Sequence, residues 1–124
     1  FLGLAPVDTT ILASSAIGNN SAIGFYKAAS AECVGLVRAG GTSTSTTLSG
    51  GFTPTISTWY DLEMLISGRT SIQFWVNGTC TGQTTMTNLP ANTVTLALTA
   101  AISAGTAAAA TLDIQQLVCF QEAC

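Results

Sequence analysis

From Tyr60 to Asn77 the chain alternates apolar and polar residues with a period of two, and Asn77-Gly78 ends that alternation. Such a period belongs to strands, whose successive side chains point to opposite faces of a sheet. Tyr60, Leu62, Met64 and Ile66 then share one face, and Asp61, Glu63 and Leu65 share the other. After a Ser67-Gly68-Arg69-Thr70 turn, Ile72, Phe74 and Val76 share a face, opposite Ser71, Gln73, Trp75 and Asn77. Asn-Gly suits a two-residue hairpin, because both residues tolerate positive φ. The stretch reads as paired strands with a core face and an outer face. TCTGQTTMTN carries the chain back towards Leu89-Pro90.

The remainder of the chain repeats this grammar. FLGLA (1–5) reads as the end of a strand closed by Pro6, and 8–20 as a loop ending in the turn-forming GNN. AIGFYK (22–27) and ECVGLVR (32–38) form a hairpin across the AAS turn. The Thr/Ser run between the paired glycines of 39–51 reads as a polar edge strand, with a flexible loop as the alternative. Alternation returns over 93–102, with Val94, Leu96, Leu98, Ala100 and Ile102 on one face. SAGTA then turns the chain into a last strand, ATLDIQQLVCF (110–120). No stretch shows a helical period. About seven strands with turn signals roughly every ten residues predict an all-β antiparallel β-sandwich or jelly roll, in one domain spanning 1–124.

Composition narrows the partners. Only 7% of the 124 residues are charged, and 20 Thr and 11 Ser supply much of the polarity. An average soluble domain has roughly 25% charged residues, and a free monomer generally keeps a charged surface. The balance therefore favours a subunit of an assembly, a homo-oligomer first of all. Lys27, Arg38 and Arg69 are the three basic residues and the net charge is −3, which argues against nucleic-acid binding and against a polybasic membrane-surface patch. The uncharged stretch after Arg69 alternates as a strand does and carries many hydroxyls, so it does not read as a membrane span.

Little catalytic equipment is present. With no His, the chain offers no Ser-His-Asp triad, Cys-His pair or His-bearing metal site. It has no phosphate-binding G-x-x-x-x-G-K-[ST] loop. No enzyme activity, metal or cofactor is expected. Asp61 and Glu63, two apart on a strand, bring paired carboxylates to one face about 7 Å apart at Cα, the equipment of glycoside hydrolysis. The plainer reading is two solvated charges on an outer face. Trp59 and Trp75, with Gln73 beside them, can serve as a sugar-stacking platform, but strand tryptophans more often pack in a core or an interface. Cys33, Cys80, Cys119 and Cys124 contain no C-x-x-C pair. Disulfides, with three pairings open, are favoured over zinc, and buried free thiols are the alternative. Asn19-Asn20-Ser21 and Asn77-Gly78-Thr79 match the glycosylation sequon, yet turns explain both asparagines. Asp8 and Asp113 offer calcium ligands without a dense acidic loop.

The hairpin WYDLEMLISGRTSIQFWVNG resembles the W-y-x-L-x-[IL]…v-x-F-[YW]-V-N-G hairpin of concanavalin A-like, laminin-G-type jelly rolls, at Trp59, Leu62, Phe74, Trp75, Val76, Asn77 and Gly78. The order of the flanking segments FLGLAPVDT, SAIGFYK and TLDIQQLVC is similar to that of tailed-bacteriophage virion structural proteins built on this sandwich. The resemblance implies a protein of the virion surface, most simply one that decorates or cements a phage capsid beside other virion proteins. A carbohydrate-binding module of a phage fibre or spike is the alternative, with a host glycan as ligand. It carries over no catalytic residue. A full jelly roll of this type has further strands before Phe1, so the chain is expected to be the C-terminal part of a longer protein or to be completed by a neighbour.

Overall fold

The protein is described by a computed structural model covering all residues except 8–10, 14, 15, 19, 29, 30, 56, 86, 104–110, 117 and 120–124. Among the described residues there is no helix, and ten strands run as β1 (Leu2–Ala5), β2 (Leu12–Ala13), β3 (Ala16–Ile17), β4 (Ala22–Lys27), β5 (Cys33–Ala39), β6 (Thr42–Thr47), β7 (Leu62–Ser67), β8 (Ser71–Val76), β9 (Thr79–Thr85) and β10 (Ala97–Ala100). They form a five-stranded sheet in the order β10-β1-β4-β5-β6, a three-stranded sheet β7-β8-β9, and the short ladder β2-β3. Every pairing is antiparallel. The two larger sheets pack as a β-sandwich.

The tight turns follow from local chemistry. Asn77 and Gly78 sit at φ 50° and 73°, and Val76 pairs with Thr79 across them. These two residues make the β8–β9 hairpin because Asn and Gly enter the left-handed region most readily. Asn77 also donates its N–H to the Asp61 carbonyl (2.8 Å) and accepts the Asp61 N–H on Oδ1 (2.9 Å). The β7–β8 pairing thereby gains one more rung beyond Leu62.

Registers decide which residues meet in the core. Ile23 and Phe25 of β4 lie opposite Val37 and Gly35 of β5, so all four face the three-stranded sheet. From that sheet come Ile72, Phe74 and Val76, with Met64, Leu62 and Ile66 packed against them. Phe74 is fully buried and meets Phe25 edge-on, with ring centroids 5.3 Å apart and planes at 77°. Its ring lies over Gly35, where any Cβ would overlap it. A second cluster, Ala5, Ile11, Ala22 and Leu36, covers the other face of the five-stranded sheet beneath the β2–β3 ladder. That sheet is thus apolar on both faces, which is why Leu36 and Val37 are adjacent in sequence and both buried.

Three expectations need correction. Residues 8–20 contain the β2–β3 ladder, with Leu12 opposite Ile17, rather than being loop throughout. The strand read at 93–102 begins only at Ala97. A turn, Val94 N–H to Ala91 carbonyl (2.9 Å), still occupies the residues after Pro90. The closing strand expected at 110–120 is not found among its described residues, 111–116, 118 and 119, which are exposed. Alternation prepared that segment for a sheet, but a strand exists only where another strand offers its hydrogen bonds.

Removing the ring at the centre of the sandwich should show how much rests on it. Phe74→Ala is expected to lower unfolding stability by about 3–5 kcal/mol in urea titrations. Gly35→Val should cost about 1–3 kcal/mol, because the Phe74 ring has to move. Leu65→Ala, on the exposed outer face, should stay within about 0.5 kcal/mol.

Candidate functional site

The outer face of the three-stranded sheet gathers four of the five residues singled out from the sequence. Glu63 lies opposite Trp75, and Leu65 lies opposite Gln73. On the other side Trp75 meets Cys80 and Gln73 meets Gln83. Directly opposed side chains in such pairs have Cβ atoms roughly 5 Å apart, so Glu63, Trp75 and Cys80 form one row across the sheet. Gln73, Leu65 and Gln83 form the next, with Gln73 Nε2 donating to Gln83 Oε1 at 3.4 Å. A bulge between Phe74 and Trp75 keeps the second row in phase. The extra residue, Thr81, donates its hydroxyl to the Phe74 carbonyl at 3.2 Å. Asp61 stands one residue before β7, exposed and held by its backbone to Asn77.

Trp59 belongs to the segment that leads into this sheet. Its neighbour Tyr60 stacks edge-on against Phe52, with centroids 5.1 Å apart, and shares a 2.9 Å hydrogen bond with the Thr55 hydroxyl. The Thr55 N–H and hydroxyl hold the Tyr60 phenol below its ordinary pKa. Packing of Tyr60 on the core leaves Trp59 at 64% exposure. Trp75 is half-buried and Leu65 is 57% exposed. The face therefore presents a mixed surface, with apolar area from Trp75 and Leu65, two glutamines and the single charge of Glu63. Asp61 and Glu63 are both exposed, and no basic side chain is opposed to Glu63 in the ladder.

The cysteines do not act as expected. Cys33, Cys80 and Cys119 are free thiols, and Cys124 lies outside the described residues. The reason is directional. Cys33 points from β5 into the sandwich core, whereas Cys80 is exposed beside Trp75 on the far face of the other sheet. Burial pushes the Cys33 thiol up to about 11 from its ordinary 9.0. Among the described residues, no group of three or more Cys, Asp or Glu gathers as metal ligands; Asp8 and Asn19 lie outside them.

One feature of the five-stranded sheet escaped the sequence reading. On its outer face, Tyr26, Val34, Leu36 and Ile17 line a shallow groove of about 260 Å³, with Arg38 at one end. Arg38 Nη1 donates to Ser43 Oγ, its opposite number on β6. Only the β5–β6 register brings the two together, and the Gly40 turn at φ 53° sets it.

No family model matches the chain, and no curated protein or solved structure does either.

Thiol chemistry should report this geometry. In the native protein a maleimide should modify Cys80 and Cys119 within minutes and Cys33 only after unfolding, as read by mass spectrometry of the peptides. A buried thiol that resists ionisation stabilises the fold below pH 9, and that contribution is lost as pH rises towards 11. Cys33→Ala should flatten the wild-type fall in stability over that interval.

Proposed function

We propose that this protein is a structural subunit that works by packing its surfaces against neighbours. The exposed apolar side chains carry the reading. Trp59, Leu65, Leu98 and Ile102 are 64%, 57%, 39% and 51% exposed, on a chain with three basic and six acidic residues. Large exposed apolar residues with few charges between them are a liability in a free monomer and an asset in an interface. The sequence resemblance supplies the finer version, a protein that decorates or cements a phage capsid and resides on the virion surface.

A second reading rests on the exposed Trp59, two residues before Asp61, and on Trp75, which stands opposite Glu63 two residues from Gln73. Stacking on an indole suits the apolar face of a sugar ring, and carboxylates and amides suit its hydroxyls. This reading makes the chain a glycan-binding module.

Sedimentation separates the two. The assembly reading expects species heavier than the 12.6 kDa single chain at tens of micromolar protein. Calorimetric titration with a panel of sugars should then register no heat at millimolar concentration. Saturable sugar binding that disappears in Trp59→Ala and Trp75→Ala, by a protein that sediments as a single chain, would transfer the conclusion to the second reading.

A further inference from the structure

The two lateral sides of the sandwich differ. On the β6 side the sheets are tied: Ser49 donates its N–H to the Thr81 carbonyl at 2.6 Å, and Asn88 Nδ2 donates to Thr44 Oγ1 at 2.8 Å. The β6 edge itself is Thr and Ser throughout. On the opposite side β10, Ala-Leu-Thr-Ala, ends the five-stranded sheet. It carries no Lys, no Pro and no charge, the devices that usually protect an edge from pairing with another chain.

The backbone of β10 is aimed outward at known residues. Phe1 and Ala101 exchange both backbone hydrogen bonds, at 2.8 and 2.9 Å. Antiparallel ladders alternate bonded and non-bonded pairs, and Ala100 and Leu98 are the non-bonded partners of Leu2 and Leu4. The N–H and C=O groups of Leu98 and Ala100 therefore point away from β1, to the open edge. Beside that edge lies a groove of about 450 Å³, lined by Ile11, Leu12, Thr99, Ala100 and Ile102.

The same chain holds a segment suited to this place. In 111–118, Leu112, Ile114 and Val118 fall on one side of a period of two together with Gln116, against Thr111, Asp113, Gln115 and Leu117. The three apolar residues are 45%, 42% and 51% exposed, and the described residues of the segment pair with no strand. Laid along β10, that side would continue the face on which Leu98 and Ile102 stand exposed. We infer that the segment from Thr111 to Val118 of one copy adds to the β10 edge of a second copy as a sixth strand of its larger sheet.

The occupant is a second copy for two reasons. Edge and segment belong to one chain, yet the described residues of the segment form no strand with it although only ten residues, 101–110, separate the two in sequence. Between them they carry a single charge, Asp113, so chains of net charge −3 meet here without like charges opposed. Main-chain hydrogen bonds along Leu98 and Ala100 supply the pairing, and the alternate apolar residues supply the register. The inference rests on the reading of the protein as a self-assembling subunit.

Two variants of the full chain test it. Ala100→Pro removes one outward N–H and leaves the β1–β10 bonds in place. Leu112→Asp with Ile114→Asp alters only the donated segment. Each should raise the concentration for half-assembly at least about tenfold in sedimentation, with melting still cooperative. Hydrogen exchange supplies the second readout: the outward Leu98 and Ala100 amides and 111–118 should be protected together in the assembled wild type and lose protection on dilution, whereas the Thr99 and Ala101 amides, which face β1, should keep theirs. Assembly unchanged in both variants would overturn the inference and leave the structural reading standing. Protection of 111–118 that survives dilution would assign the strand to its own chain and overturn the inference too. A wild-type protein that sediments as a single chain would remove both.

Discussion

The sandwich depends on one ring filling one gap. Phe74 occupies the space above Gly35 that a side chain would otherwise claim, and it meets Phe25 edge-on. Burying a Phe side chain contributes about 1.5–3 kcal/mol, and an edge-to-face partner adds about 0.5–1.5 kcal/mol. The contact also sets distance. With Gly at position 35 the two sheets approach closely enough for Ile72 and Val76 to reach Val37 and Ile23 in the same core. Everything on the outer faces inherits its orientation from that meeting. Since Phe74 points inward, its neighbours Gln73 and Trp75 must point outward.

The rest of the molecule divides into surfaces that are finished and surfaces that are not. The larger sheet is covered on one face by the smaller sheet and on much of the other by the β2–β3 ladder. Its β6 edge is polar and its side of the sandwich is bridged by hydrogen bonds. The outer face of the smaller sheet and the β10 edge remain unfinished: both present apolar side chains, and β10 also presents free backbone groups. These are the surfaces through which the proposed subunit would meet its neighbours. Sugar stacking and subunit packing draw on the same property of the first surface, the apolar area of Trp75 and Leu65 set among polar side chains. The second surface is more selective, because only another strand satisfies it.

Much of the fold was legible in the sequence because strands with one buried face leave a mark of period two. The faces of β7 and β8 were readable residue by residue, and Asn77-Gly78 placed their neighbouring turn. The polar edge strand was readable from Thr/Ser alternation between glycine pairs. The closing strand was not, and the reason is the same rule met from the other side: alternation in 111–115 records a capacity to pair and names no partner. The cysteines failed for a related reason. Four thiols in one chain suggest cross-links, but direction from the sheet decides, and Cys33 and Cys80 point into different surroundings.

The sequence by itself determined the β4–β5 and β7–β8–β9 hairpins, the Asn77-Gly78 turn and the apolar side of β7 and β8, since those follow from local sterics and from the alternation of Cβ direction. It also determined that Glu63, Gln73 and Trp75 share a surface, because their hairpin is local. Tertiary structure alone decided that Phe74 rests on Gly35, that Arg38 meets Ser43, that Cys33 is sealed away and that β10 ends its sheet. Each of these depends on register or on the order of strands, and both arise from contacts between segments far apart in the chain, which no local pattern encodes.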